Sequence, residues 1–380
     1  MREIDEKLFE AQTAEEVREL VKQGADVNVR DEIGNLPIVF SANAEVAEAL
    51  IEAGAAYQWF PTDDDDVKIS VLARYLLEND ENALPEVVEV FIKAGADVNA
   101  QTVYAKGILG ETPLMEACSY GNAEIVKLLL DAGAVDSINT LDVREERTAF
   151  LEAANNGSVE IMDMLVKNGA KLDVCDAYGY TPLMLAAGAD SFEANPEAID
   201  FLIAQKVNLD ERDNEGCTAL MHATQSRSYK AVKALVKAGT DIDIEDNDGY
   251  SPLQFAVEKQ EEVLEDIANK NEQQQDIMYE QSIERSKIIT LLIEAKKDKR
   301  DKNNAKKKSL QDKKVEYYDS KKKNSQISEC VKSSNMKISG TVIADMIAER
   351  VKAGVEKRTI TPAIGQKLRQ EIMVAKYARQ

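Results

Sequence analysis

The chain has 380 residues, of which 47 are basic and 69 are acidic, so its formal net charge is −22. This length predicts one to three domains with a sizeable buried core. Aromatic residues make up 6% of the chain with a single Trp, which is low for a protein that stacks nucleic-acid bases on aromatic rings. An apolar content of 44% is too high for a wholly disordered protein.

The charge is divided unevenly along the sequence. From Lys296 onward there are 23 basic and 10 acidic residues, a net charge of +13. The preceding part has the remaining 24 basic and 59 acidic residues, a net charge of −35. An acidic body therefore carries a basic tail.

The first residues, Met1 to Asp5, are mostly charged, which predicts no signal peptide. No stretch approaches the roughly 18 apolar residues that span a bilayer. The cysteines Cys118, Cys175, Cys217 and Cys330 form no CxxC pair, and we expect reduced thiols without a metal or redox role. We therefore expect a cytoplasmic protein, and export by a route without a signal peptide stays open.

One segment recurs along the chain. Its clearest copy begins Gly110-Glu-Thr-Pro-Leu-Met-Glu-Ala117 and ends at Gly133-Ala134. The Thr or Ser anchors of five copies lie 36, 33, 37 and 33 residues apart, at Thr112, Thr148, Thr181, Thr218 and Ser251. Similar loops, such as Gly95-Ala-Asp-Val-Asn99, precede the copies. A regular period of this length is typical of stacked repeats.

The residue types within a copy predict two helices and a turn. Thr or Ser caps the first helix, and the Pro or Ala that follows it suits the first helical position. The second helix, as at Ile125-Val126-x-x-Leu129-Leu130, has the broader apolar stripe. Gly133, Gly169 and Gly239 are predicted to adopt the left-handed conformation after that helix. Neither helix buries its apolar face alone, so the copies must stack.

These copies resemble the ankyrin repeat family, whose period is about 33 residues and whose hallmark is T-P-L-H-x-A. The resemblance covers residues 5–296. It implies an all-α solenoid, an ankyrin-repeat stack of about seven helix-turn-helix units with projecting β-turn fingers, followed by a basic helical tail. The predicted domains are a repeat domain over 1–296, a Lys-rich linker over 297–335 and a two-helix segment over 336–380.

Two departures from the repeat are large. The spacing from Ser251 to Leu292 is about 24 residues longer than in other copies, which predicts a helical hairpin inserted over about 257–288. The segment from Asn99 to Gly110 is also longer than the matching loops and predicts an enlarged finger that includes Tyr104.

Catalysis has little support in the sequence. His222 is the only histidine, and no nucleophile, Walker loop or GxGxxG motif stands in a recognisable context. Asp63 to Asp66 lack the spacing of a calcium loop and predict a solvated acidic loop. No enzyme activity, cofactor or metal site is predicted, and His222 is expected to be a surface residue.

The resemblance implies a protein-binding surface made of the fingertips and the exposed positions of the inner helices. The fifth motif position, which the family places on the concave face, is occupied by Glu116, Glu152, Leu185, His222 and Phe255. The fingertips carry Ile33, Tyr104, Tyr178, Tyr180 and Tyr250. Leu185 and Phe255 are the favoured contacts, whereas Tyr180 and Tyr250 are equally compatible with packing against a neighbouring finger.

Three hypotheses for function remain. The first is that the acidic concave face binds a partner protein through a basic surface of that partner. The second is regulation of a nucleic-acid-processing system by an acidic polyanion mimic, and the third is a tether to nucleic acid or an anionic membrane. That tether would use the tail lysines Lys306, Lys307, Lys308, Lys321, Lys322 and Lys323. The tail also has the charge to contact the body within the same molecule.

Overall fold

The computed structural model describes residues 2–59, 68–104, 108–191, 193–257 and 272–318, and nearly all its regular structure is helical. The helices are α1 (Glu3–Phe9), α2 (Ala14–Lys22), α3 (Ala44–Glu52), α4 (Val71–Asn79), α5 (Pro85–Ala94), α6 (Pro113–Ser119), α7 (Ala123–Asp131), α8 (Ala149–Asn156), α9 (Val159–Lys167), α10 (Pro182–Ala186), α11 (Pro196–Ala204), α12 (Ala219–Gln225), α13 (Tyr229–Ala238) and α14 (Glu272–Tyr318). Short 3-10 turns occupy Pro37–Phe40, Asp80–Asn82 and Ala134–Ser137, and residues 252–257 are also helical.

The chain divides into two compact units. The first comprises Met1–Ala186 and Glu197–Asn208. The second comprises Ala187–Pro196 and the chain from Leu209 onward.

The first unit is built from stacked helix pairs. The short first helices α4, α6, α8 and α10 pack side by side, and so do the second helices α3, α5, α7 and α9. Between the two rows lies an apolar core, in which Leu114, Leu129, Phe150 and Leu165 are fully buried. Burial of such side chains stabilises the fold by about 1.5–3 kcal/mol each. The predicted all-α solenoid of stacked pairs is confirmed, and the number of seven units stays a prediction.

The predicted helix signals act as expected. The Thr112 and Thr148 hydroxyls each accept a hydrogen bond from the backbone N–H three residues later, at Met115 and Leu151. Gly133 has a φ of 104°, in the left-handed region where a side chain would be strained. These caps terminate helices that are too short to be stable on their own.

Asparagine side chains link successive pairs in the first unit. Asn28 Nδ2 donates to Gly54 O over 3.0 Å, while its Oδ1 accepts from Ala56 N over 2.8 Å. Asn99 Nδ2 donates in the same way to Gly133 O, and Asn139 Nδ2 donates to Gly169 O, each over 3.1 Å. Each bond satisfies a carbonyl just after the second helix of the following pair.

The fingers are organised by aspartates. One carboxylate oxygen accepts from backbone N–H groups two and three or four residues later, which folds the tip into a tight turn; the aspartates are Asp31, Asp142, Asp176, Asp213 and Asp246. The predicted enlarged finger holds a small antiparallel hairpin of β1 (Val103–Tyr104) and β2 (Ile108–Leu109), in which Val103 pairs with Leu109.

Helix α14 passes without interruption through position 296, where the sequence predicted the end of the repeat domain. In the second unit it lies against a loop, because Lys299 Nζ is 2.6 Å from Asp241 Oδ1 and 2.9 Å from Asp243 Oδ2. Of the predicted inserted hairpin, residues 258–271 lie outside the described residues, as do Asp63 to Asp66 and the predicted two-helix segment over 336–380. The domain boundaries remain predictions.

Candidate functional site

Two of the predicted surface residues meet in one cleft of the first unit. Glu116 lies on α6 and Glu152 on α8, and these two helices pack against each other. The cleft has a volume of about 400 Å³. Its lining is formed by Leu77, Glu111, Met115, Glu116, Ser119, Asp142, Arg144, Glu145, Arg147 and Glu152. The repeat therefore places its fifth-position acids beside the finger that precedes α8.

The two arginines of the cleft are already paired with carboxylates. Arg147 has a side chain only 6% exposed, and its Nε lies 3.2 Å from Glu145 Oε2. Its Nη2 lies 3.2 Å from Oδ2 of the fully buried Asp176, and its Nη1 is 3.7 Å from Glu152 Oε1. The second arginine, Arg144, is more exposed and lies 3.5 Å from Glu111. The positive charges of the cleft are thus already engaged by acidic groups.

Glu116 differs from the other carboxylates of the cleft. The residue is only 7% exposed. Among the described residues, none donates a hydrogen bond to its carboxyl group or lies within ion-pair distance of it. Burial, followed by the negative charges of Glu111 and Glu152, raises its pKa to about 8, so the group is mostly protonated at neutral pH. An acid with a raised pKa on the lining of a cleft marks a functional candidate.

The remaining fifth-position residues lie elsewhere, and two expectations about them are wrong. Leu185 is fully buried, and the four other residues of the short helix α10 are buried as well. His222 is not a surface histidine: the residue is 5% exposed, and its Nε2 lies 2.7 Å from Asp213 Oδ2 in the adjoining finger. Phe255 is half-buried, with its ring centroid 5.6 Å from that of Tyr250.

The fingertips keep exposed apolar side chains. Ile33 is 70% exposed and Tyr178 is 55% exposed. The rings of Tyr178 and Tyr180 stack at 5.7 Å within a single finger. Tyr104 lies in β1, but its side chain is outside the described residues.

The comparisons with known proteins agree with this architecture. A family model described as ankyrin repeats (3 copies) matches residues 74–174, 134–194, 150–246 and 189–279, which together cover more than half of the chain. The chain belongs to the ankyrin repeat family. Ankyrin repeats generally mediate contacts between proteins, and the expected family is confirmed.

Several relatives are about 30% identical to this chain over the aligned residues. An ankyrin repeat protein of Fowlpox virus (strain NVSL) is 31% identical over 155 residues, or 40% of this chain. A Saccharomyces cerevisiae protein named "Probable 26S proteasome regulatory subunit p28" is 30% identical over 153 residues, also 40% of this chain. The B-cell lymphoma 3 protein homolog of Mus musculus is 28% identical over 176 residues, or 46% of this chain. The alignments span 43%, 65% and 37% of these three relatives, respectively.

Some residues of this ankyrin surface were not predicted. Leu141 is 46% exposed and Val143 is 54% exposed, both in the finger that also supplies Arg144 and Arg147 to the cleft. The predicted surface used the fingertips of other copies and omitted this one. In the sequence, the apolar residues Leu141 and Val143 just before Arg144 could have indicated that this fingertip also belongs to the surface.

The tail residues give less information. Lys306, Lys307 and Lys308 belong to α14, but their side chains are outside the described residues, and Lys321, Lys322 and Lys323 lie entirely outside them. In the described part of the chain, no helix has the length and apolar character needed to cross a membrane. Nor do the described His, Cys, Asp and Glu side chains include a group of three or more suited to a metal ion.

Proposed function

We propose that this chain is a non-catalytic interaction module that binds a basic segment of a partner protein at the acidic cleft of its first unit. The observation that supports this proposal is the composition of that cleft. Its lining contains five carboxyl groups, from Glu111, Glu116, Asp142, Glu145 and Glu152, against two arginines, and four of the five remain charged at neutral pH when Glu116 is protonated. Since both arginines are paired, the cleft offers a negative potential to an approaching ligand.

The family and the fingertips support this proposal. Ankyrin repeats generally act by binding proteins. The exposed Leu141, Val143 and Tyr178 provide apolar contact area on the fingers of the same unit. A basic segment with apolar neighbours would use both surfaces, because charge speeds association and buried apolar area supplies affinity.

Affinity capture with the full chain tests the proposal. The natural chain is compared with two double variants as bait. The cleft variant carries Glu111→Gln and Glu145→Gln. The matched control carries Glu124→Gln and Glu160→Gln at exposed positions of α7 and α9. We expect the cleft variant to lose a partner whose binding segment is basic and whose capture weakens with salt, while the control retains it. Equal capture by both variants, or binding that is indifferent to salt, would contradict the proposal.

A second role, intramolecular contact between tail and body, has one supporting observation. Lys296 Nζ lies 3.2 Å from Asp243 Oδ1, beside the pairs that Lys299 makes with the same loop. A tail that continued in this way would compete with a basic partner for acidic surface. Cross-linking in the full chain at low salt should join lysines beyond 305 to acidic residues of the body, and its absence there would exclude the contact.

The two other hypotheses, a polyanion mimic and a tail tether, are separable from these. Competition with DNA for a purified nucleic-acid-binding target tests the mimic. Replacement of Lys306, Lys307 and Lys308 by Gln tests the tether, because binding to nucleic acid or anionic vesicles should then fall and depend less on salt.

A further inference from the structure

We propose that the cleft between α6 and α8 is a receptor for one cationic side chain, an arginine or lysine, and that Glu116 is its innermost ligand. This inference rests on the proposed function, because it specifies the group on the basic partner segment that enters the cleft. It assigns to Glu116 a role in recognition rather than in stability.

The geometry of the cleft supports a single inserted side chain. A volume of about 400 Å³ lies at the lower end of the roughly 300–1,000 Å³ found for ligand pockets. Glu116 lies on its lining and is more than nine-tenths buried. Its carboxyl group has no donor among the described residues, so hydrogen-bonding capacity inside the cleft is unused.

The charges around Glu116 favour a cation over an anion or an apolar group. Glu111 and Glu152 both act on it as negative neighbours. The guanidinium of Arg147 is held by Asp176 and Glu145, so it is already committed to other carboxylates. A cationic side chain would supply the missing donors and a counter-charge together, which is the strong form of hydrogen bond in proteins.

Binding should be coupled to the proton of Glu116. The charged and titratable groups that face this region from the surrounding elements are Arg74 and Glu78 of α4, Asp80 of the 3-10 turn, Glu111 before α6, Tyr120 after α6, Asp142, Arg144, Glu145 and Arg147 of the finger, and Glu152 of α8. In the free protein their balance and the burial raise the pKa of Glu116 to about 8. A bound cation favours the carboxylate, so the O–H bond breaks and the proton passes to solvent.

The direction of the pH dependence follows from this coupling. Below about pH 8 the cation must displace a proton, so its affinity falls as the pH falls. Above the pKa that Glu116 has in the unbound protein, binding displaces no proton, and the affinity becomes independent of pH. Between pH 8.5 and pH 7 the dissociation constant should rise by about tenfold.

The test uses the intact chain and a defined probe. Nα-acetyl-arginine N-methylamide is titrated into the 13C-labelled protein, and the carboxyl resonance of Glu116 is followed with pH. We expect saturating probe to lower the midpoint of that resonance by at least one pH unit, and the uncharged citrulline analogue to leave it unchanged. An unchanged midpoint with the arginine probe would overturn the inference in the natural protein, without any variant that could misfold.

Two variants give the complementary evidence. Glu116→Gln should lower the affinity for the arginine probe at pH 8.5 by at least tenfold and remove the pH dependence of that affinity. Glu124→Gln should keep the affinity and its pH dependence unchanged. Equal probe binding by Glu116→Gln overturns the inference. If a basic partner is still captured by that variant, the proposed function survives without this receptor; if no basic partner is captured by the natural chain, the proposed function itself fails.

Discussion

Arg147 Nη2 lies 3.2 Å from Asp176 Oδ2, and this pair joins the finger before α8 to the finger before α10. The other oxygen of Asp176 accepts hydrogen bonds from Tyr178 N and Tyr180 N within its own finger. A single carboxylate therefore shapes one finger and attaches it to the preceding one. Both side chains are almost completely buried, so the pair is shielded from solvent.

Replacement of Arg147 by Met should strongly destabilise the first unit. The change leaves the carboxylate of Asp176 buried without its cation, which costs about 3–5 kcal/mol. Urea unfolding followed by the fluorescence of Trp59, the single Trp and a residue of this unit, measures the loss. Arg144→Met is the matched control, since that side chain is 59% exposed and should cost less than about 1 kcal/mol. Equal losses in the two variants would contradict the assignment.

Replacement of Glu116 by Gln should stabilise the protein at alkaline pH. The folded-state pKa of about 8 is above the ordinary value of 4.5, so the stability associated with the bound proton is present below pH 4.5 and is lost as the pH rises through 8. The free energy of unfolding of the variant should exceed that of the natural protein by about 1–3 kcal/mol at pH 8.5. The difference should shrink towards zero by pH 4. A difference in the free energy of unfolding that stays constant with pH would contradict the raised pKa of Glu116 in the folded protein.

Two finger glycines of the second unit should differ in their tolerance of alanine. Gly216 and Gly249 have φ values of 83° and 86°, so alanine is strained at both by about 1–2 kcal/mol. A Cβ at Gly216 would also lie 2.8 Å from Asn247 N, whereas at Gly249 it meets nothing within 4 Å. Gly216→Ala should therefore lower the thermal midpoint well below that of Gly249→Ala. Circular dichroism measures both, and equal midpoints would show that the finger yields freely.

The cysteines should react at very different rates. Cys175 is exposed, while burial raises the pKa of Cys217 to about 12 and that of Cys118 well above its ordinary value. Since the thiolate is the reactive form, a disulfide reagent at pH 8 should modify Cys175 at least about 100-fold faster than the other two. The measurement uses a Cys330→Ser background, and Cys175→Ser should remove the fast phase. A fast phase that persists would mean that one of the buried thiols becomes accessible.

Much of the fold is readable from the sequence because it depends on local rules repeated in register. The Thr112 cap and Gly133 are fixed by the conformations that their own backbones must adopt. The apolar stripe around Leu129 follows the helical period. Helix α14 continues through position 296, because a change in composition at Lys296 does not by itself end a helix.

The site was only partly predictable because burial depends on tertiary packing. Glu116 and Glu152 share the same motif position and meet as the family pattern implies. Leu185 occupies that position too, yet it is fully buried. The partnership of His222 with Asp213 depends on how helix α12 sits against the finger that precedes it, which the sequence does not show. The Glu116 carboxyl group has no cationic partner because the nearby Arg147 and Arg144 pair with other carboxylates, and this too depends on tertiary packing.

The asparagine bonds between helix pairs tie each pair of the first unit to its neighbours on both sides. Asn99 satisfies the carbonyl of Gly133 in the pair that follows it, and Asn139 does the same for Gly169. Loss of an earlier pair would therefore expose the C-terminal end of the next second helix. Loss of a later pair would expose the end of the preceding first helix, because Asn156 Nδ2 donates to Ser119 O and Asn79 Nδ2 donates to Val39 O. A repeat removed from the middle of this unit should accordingly leave unsatisfied carbonyls on both of its sides, whereas a repeat removed from one end leaves them on one side only.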